Sequence, residues 1–359
     1  MTVSPARMGN SPQDYSRFGI EPDAIKPHED GLRTDGGPGS YEWWYFDAHL
    51  DDGAKLVVVF FTKEFTAIGK PLAPMIRIDL TLPDGTTVEK LAEFDASTFS
   101  ASTDTCDVRI GENVFAGDLH TYTIRAKVED VAVDIRLAGT VPAWRPESGH
   151  WLFGDDGAQI FAWLPSVPEG RVEATYSLAG KSSTTTGVGY HDHNWGNTIM
   201  LKLMHHWYWA RGSAGPYSVI ASYITAEKQY GYATLPVFML ARDGKLIADD
   251  KSKVTFEELG RYTDTETGKP VANVTRYTYT DGDERYVVTY TRHSDLSAVK
   301  FTDNLKGPKR AAAMLTGFDG AYLRFVGEVR IERYEGDNLV ESHVDDALWE
   351  LMYFGKARP

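Results

Sequence analysis

After its first forty residues this chain alternates hydrophobic and polar positions with a period of two. Val57-Val58-Val59-Phe60-Phe61, Met75-Ile76-Arg77-Ile78-Asp79-Leu80, Tyr122-Thr123-Ile124-Arg125-Ala126 and Val131-Ala132-Val133-Asp134-Ile135-Arg136-Leu137 all read as strands. Turn pairs punctuate them: Asp52-Gly53, Asp84-Gly85, Asp156-Gly157, Asp243-Gly244 and Asp281-Gly282. Helical periodicity is scarce, and only Lys309 to Leu315 predicts a short helix. Closely spaced strands and turns predict an all-β fold of barrels or sandwiches. Residues 1–37, with Pro5, Pro12, Pro22, Pro27, Gly36 and Gly37, predict an irregular N-terminal arm.

One internal echo suggests how the strands are grouped. Trp44-Tyr45-Phe46 followed by Leu56-Val57-Val58-Val59 matches Trp207-Tyr208-Trp209 followed by Val219-Ile220-Ala221-Ser222, from 44 to 207 and from 56 to 219. A constant offset predicts two related barrels, residues 38–197 and 198–359, each opening on an aromatic hairpin. The length of 359 residues also favours two domains.

Composition narrows the function classes. Hydrophobic residues make up 42% and aromatics 12%, with 9 Trp and 19 Tyr, which suits packed cores and pockets for large apolar ligands. The formal net charge of −14 repels phosphate backbones, so nucleic acid is not an expected partner. Cys106 is the sole cysteine, which excludes an intrachain disulfide and a multi-cysteine zinc site. No signal-peptide stretch opens the chain and no apolar run is long enough for a membrane span, so a cytoplasmic protein is expected.

Three segments carry candidate chemistry. In Tyr41-Glu42-Trp43-Trp44-Tyr45-Phe46-Asp47, Glu42, Trp44 and Phe46 share one face, so Glu42 is predicted to be desolvated among rings and suited to general acid work. In Gly189-Tyr190-His191-Asp192-His193-Asn194-Trp195-Gly196, His191, His193 and Trp195 share a face, with Asp192 and Asn194 on the other. Two histidines at this spacing suit a metal only if further ligands arrive, from His205, His206 or Asp192; without a helical HExxH, a metal-free hydrogen-bonded junction is expected instead. In Met204-His205-His206-Trp207-Tyr208-Trp209, the echo aligns His205, Trp207 and Trp209 with Glu42, Trp44 and Phe46. No GxSxG, Walker or Rossmann pattern occurs, so no nucleotide cofactor is expected.

The first two motifs resemble those of the AttH/CrtC-like family of tandem lipocalin-like barrels, and the resemblance runs from about residue 38 onward. It implies a long hydrophobic small-molecule substrate and one of two activities: hydration of an isolated alkene, or cofactor-independent cyclisation of a polyene by decalin-forming Diels–Alderases. By motif position it implies Glu42, His193, Asn194 and Trp195 as catalytic candidates. Trp44, Tyr45, Phe46, His191, His205, Trp207 and Trp209 are read as substrate-binding. Hydratases of this kind resemble one another in placing a Tyr and an Asp on the following strands, and here Tyr217-Ser218-Val219-Ile220-Ala221-Ser222-Tyr223-Ile224 has no carboxylate. A cyclase in secondary metabolism is therefore the leading expectation, with a hydratase and a non-catalytic lipocalin-like carrier as alternatives.

Overall fold

A computed structural model of the chain describes residues 3–301 and 319–357, so the helix expected at residues 309–315 lies outside the described residues. Two units are defined: Met8–Ile199, and Met200–Pro359 together with Met1–Arg7.

The chain opens with strand β1 (Ala6–Met8) and helix α1 (Pro12–Phe18). The strands of the first unit then follow as β2 (Tyr41–Leu50), β3 (Lys55–Phe61), β4 (Met75–Thr81), β5 (Thr87–Glu93), β6 (Phe99–Ala101), β7 (Cys106–Ile110), β8 (Asn113–Gly117), β9 (Thr121–Val128), β10 (Val131–Gly139), β11 (His150–Phe153), β12 (Gln159–Leu178) and β13 (Lys181–Gly196). They form a curled antiparallel sheet in the order β5-β4-β3-β2-β13-β12-β10-β9-β8-β7-β6, with β11 on the free part of β12. The period-two segments of the sequence are β3, β4, β9 and β10. Their alternate residues, among them Val58, Phe60, Ile78, Ile124 and Ile135, fill the interior with Trp44 and Phe46. Each such side chain contributes about 1.5–3 kcal/mol on burial.

The second unit contains a single-turn helix α2 (Met200–Leu203) and strands β14 (Met204–Ala214), β15 (Tyr217–Ala226), β16 (Thr234–Arg242), β17 (Lys245–Ala248), β18 (Val254–Thr263), β19 (Pro270–Asp281), β20 (Glu284–Lys300), β21 (Ala321–Glu335) and β22 (Asn338–Tyr353). Their order is β17-β16-β15-β14-β22-β21-β20-β19-β18, the same path as in the first unit, with β14 in the place of β2 and β22 in that of β13. Asp243 and Gly244, at φ +49° and +74°, make the tight β16–β17 turn that the Asp-Gly pair predicted.

The echo holds for the path but not for the faces. Phe46 pairs with Val58, whereas Ala210 pairs with Ala221, so the first strands are offset by 164 residues and the second by 163. The β2–β3 connection spans residues 51–54 and the β14–β15 connection only 215–216, which absorbs the difference. A slip of one residue reverses every side chain. Tyr208 and Ala210 therefore join the second core, while Trp207 and Trp209 face away from it, unlike Trp44 and Phe46. A bulge between Met204 and His206 further breaks the alternation at His205.

Residues 1–37 are not uniformly irregular, because Ser11 and Asp14 form a capping box around a Pro at the start of α1, and Gly19 ends it in the left-handed region at φ +66°. A 3₁₀ turn follows at Pro27–Asp30. No helix among the described residues is long and apolar enough to cross a membrane. Ser11→Ala is expected to lower stability by about 1 kcal/mol, seen as faster amide exchange through Tyr15 to Phe18. Unchanged exchange there would mean that the cap is dispensable.

Candidate functional site

β2 and β13 pair so that Trp195 lies opposite Glu42, His193 opposite Trp44 and His191 opposite Phe46. All six are buried. His193 stacks on Trp44 with centroids 4.7 Å apart and planes at 12°, and it touches Trp195 at 4.7 Å. Its Nε2 donates to Glu42 Oε1 at 2.8 Å.

A carboxylate taken out of water needs donors, and Glu42 finds them on the N-terminal arm. Arg33 N–H reaches Oε1 at 2.7 Å, and Thr34 N–H and hydroxyl reach Oε2 at 2.8 and 2.7 Å. Asp30 enters beside it. Its Oδ2 accepts from the Tyr122 hydroxyl at 2.5 Å and from His191 Nε2 at 3.1 Å, and its carbonyl accepts from Trp44 Nε1 at 3.0 Å. Burial opposes charge on Asp30, but His191, His193 and Tyr122 prevail and hold the carboxyl below its ordinary value. Glu29 makes a buried 2.7 Å ion pair with Arg145, which also donates to the carbonyls of Glu21, Ala24 and Glu147. Three successive attachments thus pin the arm to the sheet.

Asp30, Cys106 and His191 place possible metal-ligand atoms within 4.8 Å of one another. A thiol must lose its proton to ligate, and burial together with nearby Asp30 pushes the Cys106 thiol well up. Its S–H points at the Phe115 carbonyl 3.6 Å away, so this trio suits protons better than a cation.

The opposite face of β13 carries a second polar group. Asp192 accepts from Trp163 Nε1 and the Tyr190 hydroxyl, each at 2.8 Å, and from the Asn194 amide at 2.7 Å. Burial outweighs these donors and raises its carboxyl to about 6.

A cavity of about 230 Å³ opens in this unit where α1, the arm and β11–β13 meet. Its walls include Phe18, Arg33, Arg145, His150, Trp163 and Trp195. Sites for whole drug-sized ligands usually occupy roughly 300–1,000 Å³, so this space is smaller than a whole drug-sized ligand needs.

Residues 37–267, well over half of the chain, match the family model described as Diels-Alderase-like. The chain belongs to the Diels-Alderase-like family. It is 26% identical over 196 residues to the quinolone epoxide rearrangement protein penF of Penicillium thymicola, covering 50% of this chain and 54% of that protein. It is 24% identical over 353 residues to the Diels-Alderase ucsH of Acremonium sp, covering 88% and 86%. The chain spans about half the length of the first curated relatives it matches. Among solved structures, CghA with Sch210972 shares the fold over 99% of this chain and 100% of that one, with a TM-score of 0.62 at 15% identity.

In this Diels-Alderase-like chain, Trp195 alone of the four expected catalytic residues lines the cavity. Glu42 and His193 are bound into the arm attachment behind it, and Asn194 holds Asp192 on the other face. Trp44, Phe46 and His191 are interior, while Tyr45 takes the opposite face and donates to Asp47 at 3.0 Å. His205, Trp207 and Trp209 belong to the second unit. There His205 bonds the Lys356 carbonyl at 2.7 Å, and Trp207 donates to Glu350 at 3.1 Å. Asp30, Arg145 and His150 went unnoticed in the sequence because each stands outside the two motifs, in a segment without periodicity. Glu350, whose carboxyl is raised by burial, was hidden in an ordinary alternating strand.

The Asp192 shift has a definite sign. Between the ordinary value of 3.8 and about 6 the folded state binds a proton that the unfolded chain releases. The carboxyl therefore favours folding below the lower value, and that contribution is lost as pH rises through the upper one. Asp192→Asn should gain on the order of 3 kcal/mol relative to the wild type between those limits, measured by urea denaturation at both ends. A difference independent of pH would contradict the shift.

Proposed function

We propose that the protein is a cofactor-independent cyclase that folds a hydrophobic polyene or polyketide chain for ring closure in secondary metabolism. The match of residues 37–267 to the Diels-Alderase-like model carries this reading. The site supports it over hydration. Adding water to an isolated alkene needs an acid with a proton to give and a base free to take one. Glu42 has both oxygens occupied by donors, and His193 Nε2 gives its proton to Glu42. A cycloaddition needs chiefly a held conformer and one well-placed hydrogen bond.

In this reading Trp195 bears on the substrate directly. Glu42 and His193 are positioning residues, acting through the arm that supplies Arg33 to the cavity wall. The substrate is a large hydrophobic small molecule, one end of which enters the cavity, and the lone buried thiol of Cys106 fits a reducing cytoplasm.

Incubation of the purified protein with linear polyene precursors should give a cyclised product of unchanged mass. A product heavier by one water would replace this reading with a hydratase, and tight binding without conversion would replace it with a carrier. Trp195→Ala should lower kcat/KM by about tenfold or more through lost packing.

A further inference from the structure

His150 stands on β11 just after Gly149, which holds φ +72° and whose absent side chain leaves room for the Trp163 carbonyl. The ring is 4% exposed and lies flat on Phe18, with centroids 3.6 Å apart and planes at 4°. Trp195 meets it edge-on at 5.3 Å. Its Nδ1 is 2.6 Å from the Ser148 carbonyl, and a carbonyl only accepts, so Nδ1 carries the proton. That leaves Nε2 as a bare lone pair with no partner among the described residues, on a ring that walls the cavity.

Three arginines stand around it. Arg145 is neutralised by Glu29. Arg17 and Arg33 also line the cavity but donate to backbone carbonyls only: Arg17 to Gly157, and Arg33 to Gly31 and Thr103. Among the described residues neither guanidinium makes a direct hydrogen bond to a carboxylate, although Glu42, Glu29, Asp30 and Asp104 act on Arg33 through space, and both border one unpaired acceptor. Such a site favours a partner that brings both a hydrogen-bond donor and a negative charge. It fits a planar group holding an anionic oxygen beside an O–H or N–H donor.

We propose that this cavity binds the head group of the ligand, with His150 Nε2 accepting from a neighbouring O–H or N–H and Arg33 or Arg17 holding an anionic oxygen. Burial, with Arg145 and Arg17 nearby, brings the imidazole down to about 3, so the lone pair stays available at physiological pH. His150 accepts the hydrogen bond without removing the proton. Phe18 and Trp195 hold the His150 ring from its face and its edge, which fixes the direction of Nε2.

The proposal deepens the cyclase reading and rests on it for turnover, not for binding. Salicylate carries both features on one ring, benzoate lacks the donor, and salicylamide lacks the charge. Calorimetry on the full chain should find salicylate bound about five- to tenfold more tightly than benzoate, and at least tenfold more tightly than salicylamide. His150→Phe should erase the first preference and keep the second, while Arg33→Gln should weaken the second. In unmodified protein, the ¹⁵N signal of unprotonated Nε2 should move on adding salicylate and not on adding benzoate. Equal affinities for all three probes in the unmodified protein, or an unmoved Nε2, would overturn the proposal. Cyclisation of a polyene without any acidic head at undiminished rate would overturn it too, while leaving the cyclase reading intact. Salicylate binding as expected with no cyclisation of any polyene would overturn the cyclase reading alone.

Discussion

Three carboxylates removed from water, Glu29, Asp30 and Glu42, govern the first unit. Burial makes an unpaired charge costly by several kcal/mol, so each demands a fixed partner. Arg145, His191 with Tyr122, and His193 with the Arg33 and Thr34 amides supply them. These attachments join the arm to the β10–β11 connection, to β9 and β13, and to the aromatic face of β2. The arm therefore has one position on the sheet, and its side chains complete the cavity wall.

This arrangement separates the groups that hold the site from those that face it. The histidine–tryptophan strand looks catalytic in sequence because it gathers ionisable groups on one face. In space most of those groups answer one another. Trp195 is the member that reaches the cavity, and its neighbours His150, Phe18 and Arg33 come from elements of quite different character.

The all-β architecture was legible because half-buried strands alternate, and the alternation correctly grouped Glu42, Trp44 and Phe46, and likewise His191, His193 and Trp195. The faces of β14 were not legible. Trp207-Tyr208-Trp209 is aromatic at every position, so a shift of one residue leaves the pattern unchanged and only the loop length decides which rings turn inward. Asp30, Arg145 and His150 were equally hidden. The acid, base and rings that bury them lie far along the chain, and nothing local marks an isolated acid, arginine or histidine as buried. The helix of the arm did leave a sign, Ser11-Pro12 with Asp14 three residues on, outweighed by the surrounding prolines.

The pairing of β2 with β13 also bears on how the protein is made. These strands are neighbours in the sheet yet stand at opposite ends of the unit's sequence, with Glu42 and His193 separated by 151 residues. A nascent chain can hairpin β3, β4 and β5 as they emerge, but β2 keeps an open edge until residue 196 has left the ribosome. Until then Trp44 and Glu42 lack their cover, a strand edge is exposed, and the emerging polypeptide depends on chaperones or speed to escape aggregation.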